Sequence, residues 1–423
     1  MSVTAVVGMQ WGDEAKGKLV DLLSPTADLV ARFNGGDNAG HTVVNQFGTF
    51  KLRLMPNGFT NPKSICAIGP GVVLNLATLM KEIQTLHEAG IDIHERLWVS
   101  PRCNVVMPYH PLVEGVFEEA KGGARTGTTR RGMGPVFADK ASYNGITLYD
   151  LADETLFAAK LRVQLGLKNN LLQAYGVEGL AFDVVYDDLL RLYEQVRPMV
   201  REPFGKVQEL LKAGGAILLE GAQGALLDNT WGTYPFCTAS TTTVGGASAG
   251  LGIAPRHISS VVGVAKAYTT RVGGGPMPTE LEDADGQALQ QAGAEFGTVT
   301  GRARRCGWFD AELVGFTAQL NGATELALTK LDVLDGFERI RICTGYRLDE
   351  RPLHYWEMDA PQLQRCQPVY IEVDGWMAPT RDVRRFADLP ALAQAYVRKV
   401  EELTETPVRW VSVGPERDAT IEI

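Results

Sequence analysis

Several things are missing from this chain of 423 residues, and each absence excludes something. No apolar run approaches the roughly 20 residues of a membrane-spanning helix, so no membrane segment is expected. The opening Met1-Ser2-Val3-Thr4-Ala5-Val6-Val7 has no basic region before its apolar residues, which argues against a secretory signal and for the cytoplasm. The six cysteines are scattered without a C-x-x-C pair, so buried or free thiols are expected, not disulfides or zinc ligands. Positive charge is in short supply, with 41 Lys and Arg against 50 Asp and Glu and a formal net charge of −9. A nucleic-acid partner held by bulk charge is therefore excluded, and anionic ligands must be held by local groups. There is no internal repeat, low-complexity tract or Pro/Ser-rich linker.

The composition is that of a folded chain, with 45% hydrophobic and 22% charged residues. The 46 glycines follow no collagen period and point to tight turns and backbone-lined sites. Short apolar runs alternate with amphipathic stretches, the pattern of an α/β fold with a mostly parallel central sheet. Val3–Val7, Ala216–Leu219, Ile258–Val264 and Leu326–Leu328 read as buried strands, and Lys18–Leu23 as the start of a helix. Residues 151–211 read as a mostly helical insertion whose apolar positions, such as Leu189, Leu190, Leu192 and Val196, serve packing.

After the first strand comes Gly8-Met9-Gln10-Trp11-Gly12-Asp13-Glu14-Ala15-Lys16-Gly17-Lys18-Leu19. Gly12-x4-Gly17-Lys18 has phosphate-loop spacing between a strand and a helix, where backbone N–H groups cradle phosphates. Two features depart from the plain motif. Leu19 replaces the hydroxyl residue that reaches Mg²⁺, and Asp13 and Glu14 would repel a polyphosphate. A carboxylate beside phosphates is tolerable with Mg²⁺ between them, or where it must take a proton, so Asp13 is read as chemical. The next cluster, Asn34-Gly35-Gly36-Asp37-Asn38-Ala39-Gly40-His41-Thr42, allows close backbone approach to a ligand. It sets His41 in a polar loop suited to work on a phosphate.

These two segments resemble the adenylosuccinate synthetase family. The similarity continues in order through Gly127-Thr128-Thr129, Glu220-Gly221-Ala222-Gln223-Gly224, Gly232-Thr233-Tyr234-Pro235, Lys266-Ala267-Tyr268 and Gly275-Pro276-x-Pro278-Thr279-Glu280. It implies a phosphate-loop NTPase-like fold and a single domain over 1–423. It also implies GTP-dependent joining of IMP and L-aspartate in a homodimer, with one Mg²⁺ per subunit. The implied catalytic residues are Asp13, Lys16, His41 and Gln223. GTP would meet Gly12, Glu14, Ala15, Lys16, Gly17, Lys18, Gly40, His41, Thr42, Arg304, Lys330, Asp332, Ser412 and Gly414. IMP would meet Asp13, Asn38, Thr128, Thr129, Gln223, Thr238, Val272 and Arg302. Aspartate would meet Val272, Thr298, Val299, Thr300, Arg302 and Arg304, and Mg²⁺ would meet Asp13 and the Gly40 carbonyl.

Physical chemistry supports two of these assignments directly. In Thr329-Lys330-Leu331-Asp332 a carboxylate offers two acceptors to the N1–H and N2–H of guanine, a donor pair that adenine lacks. In Thr300-Gly301-Arg302-Ala303-Arg304-Arg305 three guanidinium groups repel one another unless an anion joins them, and aspartate is a dicarboxylate. Five positions depart from the family, among them Trp231 in place of the common His and Thr241 in place of Asn. Ala15 and Ala303 stand in the two loops, and Tyr143 stands where the family places an arginine that reaches the neighbouring subunit's IMP phosphate. Two other functions compete. A related synthetase acts on dGMP, but its branch tends to lose the aspartate that is present here as Asp13. A regulatory GTP switch would explain the phosphate loop and Thr-Lys-Leu-Asp, but not Leu19, Gly40-His41 or the arginine segment.

Overall fold

The computed structural model describes residues 2–297, 301 and 303–423. Among these residues a nine-stranded sheet forms the centre. In spatial order its strands are Thr420–Glu422, Val408–Ser412, Glu325–Thr329, Ser260–Lys266, Ser2–Gly8, Ala216–Glu220, Leu29–Arg32, Ile65–Ile68 and Leu97–Val99. Neighbours run parallel except at the edge, where Val408–Ser412 pairs antiparallel with Thr420–Glu422. The first strand of the chain lies near the middle, with Ala5 opposite Val261 on one side and Leu219 on the other.

The near-continuous apolar runs are explained by burial on both faces. Val3, Ala5, Val7, Leu29, Ala31, Ile217, Leu219, Leu326 and Leu328 enter one core cluster. Val6, Val30, Leu218, Val262, Val264 and Ala327 face the other side, against Leu19 and Val20 of the helix Lys16–Leu23. Leu19 is thus a core residue, which explains an apolar side chain where a hydroxyl was the norm. The third expected strand lies two residues later than Ile258–Val264. Its ladder starts at Ser260, opposite Thr4, and ends at Lys266, a buried cation that an apolar pattern excludes. The helix likewise begins at Lys16, not Lys18.

The segment 151–211 is helical, with Glu154–Ala174, Phe182–Val196 and Phe204–Ala213. Phe157, Leu161, Leu165, Leu189 and Val196 pack into a separate core with Leu79, Ile83 and Leu86 of the helix Leu76–Glu88. The Asp153 carboxylate caps the first of these helices by accepting from Leu156 N–H at 3.0 Å.

The parallel arrangement puts the carboxyl ends of the strands along one edge, where ligands bind in such sheets. Gly8, Arg32, Glu220, Lys266, Thr329 and Ser412 end six of them. The phosphate loop, the second glycine loop, Glu220–Gly224, Lys266-Ala267-Tyr268, Thr329–Asp332 and Ser412–Gly414 each follow one of these residues or begin with it. All six cysteines are free thiols, and five are buried.

Candidate active site

The first loop turns sharply. Gly12 has φ +87°, Asp13 +62° and Ala15 +66°. Gly12 adopts this freely, whereas the left-handed conformation costs a non-glycine residue about 1–2 kcal/mol. Ala15 is therefore strained, and Asp13 is held in an unusual conformation by its surroundings. Glu14 does not face a phosphate as its sequence position suggests. Its buried carboxylate turns inward, accepts from Gln10 N–H (3.1 Å) and Gly12 N–H (2.8 Å), and pairs with Lys16 Nζ at 2.6 Å. The repulsion expected from two acids is thus halved, because Glu14 spends its charge on the loop's own donors.

The second loop closes on the first. Gln223 Nε2 donates to Asn38 Oδ1 at 3.1 Å, and a Cβ on Gly35, which has φ +84°, would lie 2.7 Å from Ala222 Cβ. A Cβ on Gly17 would lie 3.1 Å from both His41 Cδ2 and Asn57 Nδ2, so only glycine lets the loops approach this closely. Glu220 pins Asn57 twice, accepting from its N–H at 2.8 Å and its Nδ2 at 2.9 Å. Asn57 Oδ1 must then face His41 Nε2, 2.9 Å away, which places the ring proton on Nε2. Burial, with Arg32 and Lys16 nearby, lowers the His41 pKa to about 3. In this arrangement the ring is neutral at pH 7 and acts as a hydrogen-bonding group, not as a cation. Gly40 directly precedes the strand His41–Asn45, which pairs antiparallel with Gly48–Leu52, and Thr42 is exposed.

At the far side of the first loop, Lys18 Nζ donates to Ser412 Oγ (2.6 Å), Gly414 O (2.7 Å) and Ala419 O (3.1 Å). All three of its donors are filled, so Lys18 ties the phosphate loop to the C-terminal segment. Burial lowers its pKa to about 8, against the pull of Asp332. Thr329 Oγ1 donates to Glu14 O at 2.9 Å, which anchors Thr-Lys-Leu-Asp beside the same loop. Asp332 Oδ1 is buried with no hydrogen-bond partner. Burial raises the Asp332 pKa, with Lys330 and Lys18 acting the other way. A buried acceptor without a donor is costly unless a ligand supplies one.

The arginine segment meets Asp13. Arg304 Nε lies 2.6 Å from Asp13 Oδ2, and Arg304 Nη1 lies 2.5 Å from Glu295 Oε2. Glu295 also holds Lys266 at 2.9 Å and Lys330 at 2.7 Å, and it accepts from the Tyr268 hydroxyl. Burial alone would raise its pKa, but the three cations outweigh burial and hold the carboxyl well below its usual range. Arg305 is committed elsewhere, to Glu280 and to the carbonyls of Gly273 (3.3 Å) and Gly275 (2.8 Å). Thr298, Val299, Thr300 and Arg302 lie outside the described residues.

A fourth loop faces this group. Thr128 Oγ1 is buried without a hydrogen-bond partner. A Cβ on Gly127 would lie 3.4 Å from Gly274 N and 3.6 Å from Gly273 Cα, which sets this loop against the segment that follows Val272. Glu118 shapes the loop by accepting from the N–H groups of Thr126 (3.4 Å), Gly127 (2.9 Å) and Thr128 (3.4 Å). Burial opposes ionisation there, but the Thr126 hydroxyl, Lys121 and the N–H groups of Gly127 and Thr128 lower its pKa to about 2. Thr238 N–H donates to Leu227 O at 2.8 Å, in the segment that follows Gln223. Arg131 lies 3.7 Å from Asp37 in the second loop, whereas Arg130 is exposed beside Glu119. Tyr143 is 97% exposed and contributes nothing to this pocket from its own chain.

The model of the family described as adenylosuccinate synthetase matches residues 5–421. The chain belongs to the adenylosuccinate synthetase family. Full-length relatives bearing that name include those of Desulfitobacterium hafniense strain DSM 10664 / DCB-2 and Carboxydothermus hydrogenoformans. They are 47% and 46% identical over 422 residues, covering 100% of this chain and 99% of each relative. The solved structure of fully ligated adenylosuccinate synthetase from Plasmodium falciparum superposes with a TM-score of 0.94 at 35% identity, with 100% of both chains covered. That of cyanophage S-2L succinoaminodeoxyadenylate synthetase, bound to dGMP and dATP as an energy donor, reaches a TM-score of 0.61 at 22% identity. It covers 100% of this chain and 95% of that one, and shares the fold. As an adenylosuccinate synthetase, the chain is a GTP-dependent ligase that joins IMP and L-aspartate.

Four acids and amides of this adenylosuccinate synthetase site carried no chemical signal in the sequence: Glu295, Glu118, Asn57 and Glu220. Glu220 stood inside a quoted motif, directly after the expected strand Ala216–Leu219, with no role attached to it. The others lie in unremarkable segments, and only folding brings them to the pocket. Among the described residues no three His, Cys, Asp or Glu side chains cluster as a metal cage. One carboxylate and one carbonyl suffice for a Mg²⁺ that arrives on phosphates and keeps several waters, so the donors present fit such an ion. No helix among the described residues is long and apolar enough to cross a membrane.

Proposed function

We propose that Asp13 is the base of this ligation. It removes the N1 proton of IMP, so that O6 gains charge and attacks the γ-phosphate of GTP, with GDP leaving and 6-phosphoryl-IMP formed. The amino group of aspartate then attacks C6, and phosphate leaves. The 6-oxo group of IMP is a poor electrophile with a poor leaving group, and phosphorylation of O6 repairs both faults. The observation that carries this reading is the 2.6 Å contact between Asp13 and Arg304, 291 residues apart, which brings the phosphate loop to the arginine segment.

Lys16 and His41 hold the phosphates, the lysine by charge and the neutral imidazole by hydrogen bonding. Gln223 and Asn38 hold the purine, and the unpartnered hydroxyl of Thr128, with Thr129, Thr238 and Val272, holds the rest of the nucleotide. The orphaned carboxylate of Asp332 takes the guanine edge, beside Lys330, Ser412 and Gly414. Gly12, Glu14, Ala15, Gly17, Lys18 and Thr42 shape the phosphate side. Thr298, Val299, Thr300, Arg302 and Arg304 take L-aspartate. Asp13 and the Gly40 carbonyl hold Mg²⁺, which neutralises phosphate charge when bound.

In this reading the chain acts as one domain, in the cytoplasm, and as a homodimer. Tyr143 then faces the partner's IMP phosphate with a hydroxyl in place of a guanidinium, and supplies one hydrogen bond but no charge. Tyr143→Arg is expected to lower the KM for IMP about tenfold, as one charged hydrogen bond would. An unchanged KM would remove Tyr143 from the IMP site.

The deciding experiment mixes the protein with Mg²⁺, GTP and L-aspartate, adds IMP or dGMP separately, and identifies the product by mass. Product with IMP alone is expected. Product only with dGMP, or GTP hydrolysis that needs neither nucleotide, would overturn the reading.

A further inference from the structure

Arg271 ends the short strand Thr269–Arg271 and is only 2% exposed. Among the described residues its guanidinium bonds to carbonyls and a hydroxyl, and to no carboxylate. Nη1 donates to Pro276 O at 2.6 Å, and Nη2 donates to Thr233 Oγ1 and Phe236 O, both at 2.9 Å. Arg271 Cζ lies 5.0 Å from the centroid of the Trp11 ring, and Trp11 Nε1 donates in turn to Thr233 Oγ1 at 3.3 Å. Burial, with Arg305 nearby, lowers the Arg271 pKa to about 9, which leaves the group charged at pH 7. A buried cation without a counter-ion is costly, so these neutral acceptors carry its whole compensation.

Three segments of the pocket thus meet on one side chain. Trp11 stands two residues before Asp13 in the phosphate loop. Phe236 stands two residues before Thr238. Pro276 ends the turn that begins with Val272 and Gly273. The fit is close, because a Cβ on Gly275, which has φ +98°, would press on Arg271 Nη2 and lie 2.6 Å from Phe236 Cβ. Arg305, opposite Arg271 in the strand pair, holds Gly273 O and Gly275 O of the same turn. The segments of Phe236 and Pro276 lie outside the nine-stranded sheet, so no ladder of that sheet sets their spacing.

We propose that Arg271 is a positioning residue for the purine nucleotide, locking the segment that carries Thr238 to the turn that carries Val272. The proposal rests on the roles given above to Thr238 and Val272. The guanidinium is a flat, rigid fork, so acceptors bound to it are fixed relative to one another as well as to it. An ammonium or an apolar side chain in its place would fill space without setting that spacing. Trp11 extends the same constraint to the phosphate loop beside Asp13. The guanine end has anchors of its own in Lys18 and Thr329, and neither bonds to Arg271. Loss of the clamp therefore falls on IMP and not on GTP.

The test is steady-state kinetics of adenylosuccinate formation by the full-length protein, with IMP and GTP varied in turn. In Arg271→Met the KM for IMP is expected to rise about tenfold or more, since a wall misplaced by one ångström can cost about 10²-fold. The KM for GTP stays near its native value. A role confined to stability would lower the melting temperature and, through a smaller active fraction, kcat, and would leave both KM values unchanged. That result overturns the proposal, as does an equal rise in both KM values. If Arg271→Met does not fold, Thr233→Val is read in its place, because it deletes the acceptor shared by Arg271 and Trp11 and keeps every charge. A rise of about threefold in the KM for IMP is then expected, the effect of one hydrogen bond. A native KM for IMP in the variant that folds overturns the proposal. A native protein that forms no product from IMP would instead overturn the substrate assignment itself.

Discussion

The two ends of the pocket are built on opposite principles. At the end proposed for guanine, Lys18 has all three donors filled by Ser412, Gly414 and Ala419, and Asp332 Oδ1 has no hydrogen-bond partner. At the reacting end, Asp13 is already engaged by Arg304, which is in turn engaged by Glu295. One end is a finished wall with one acceptor left open. The other is a set of charges that satisfy one another until a substrate takes their place. Recognition of the base can therefore be preformed, whereas the chemistry waits on an exchange of ion pairs. In the mechanism proposed above, this division keeps the base from acting on the wrong partner, because Asp13 is released only when another group takes Arg304.

Four measurements sharpen or break that comparison. The largest effect belongs to the reacting end. Asp13→Ala is expected to lower kcat by about 10²–10⁴, the usual contribution of a general base, while GTP affinity changes little. Near-normal adenylosuccinate formation would dismiss Asp13 as the base. Next comes the open acceptor. Asp332→Asn is expected to raise the KM for GTP roughly 10- to 100-fold, as the loss of charged hydrogen bonds implies. An equal effect on ITP, which lacks the 2-amino group, would show that Asp332 does not read the guanine edge.

The third measurement follows Lys18. Its pKa in the folded protein is about 8, below the ordinary lysine value of 10.5. Between these values the unfolded chain binds the proton and the folded chain does not, so the lysine's contribution to stability rises with pH across that window. Denaturant unfolding at pH 8 and pH 10 should show the native protein gaining on Lys18→Met as pH rises. A constant difference would mean that Lys18 is not desolvated by the C-terminal segment. The smallest effect is at Ala15. Ala15→Gly relieves the left-handed strain at φ +66° but adds freedom to the unfolded chain. A net gain of at most about 1 kcal/mol is expected, read from denaturant midpoints. A loss would show that the methyl group makes contacts that matter more than the strain.

Much of the site was legible because its parts are local. The spacing of Gly12, Gly17 and Lys18, the Gly40-His41 pair and Thr329-Lys330-Leu331-Asp332 each depend on a few consecutive residues at the end of a strand. The strands themselves showed as short apolar runs because both sheet faces are covered. Lys266 hid the end of one strand, since a buried cation looks polar until its partner Glu295 is known. Ala15 showed in the sequence only as a departure from the family, and the folded loop sets it at φ +66°.

What the sequence by itself determined is the order of the motifs, the parallel α/β class and the family, all carried by patterns along the chain. What only the tertiary structure decided is which charges meet. Glu14 turns inward, Lys18 reaches the C-terminal segment, Asn57 orients His41, and Glu295 gathers Lys266, Lys330 and Arg304. The physical reason is range. Periodicity reports neighbours within a strand or a helix turn, whereas a salt bridge or hydrogen bond acts over a few ångströms between residues well separated along the chain, up to 396 apart for Lys18 and Gly414, and only the folded chain sets that distance.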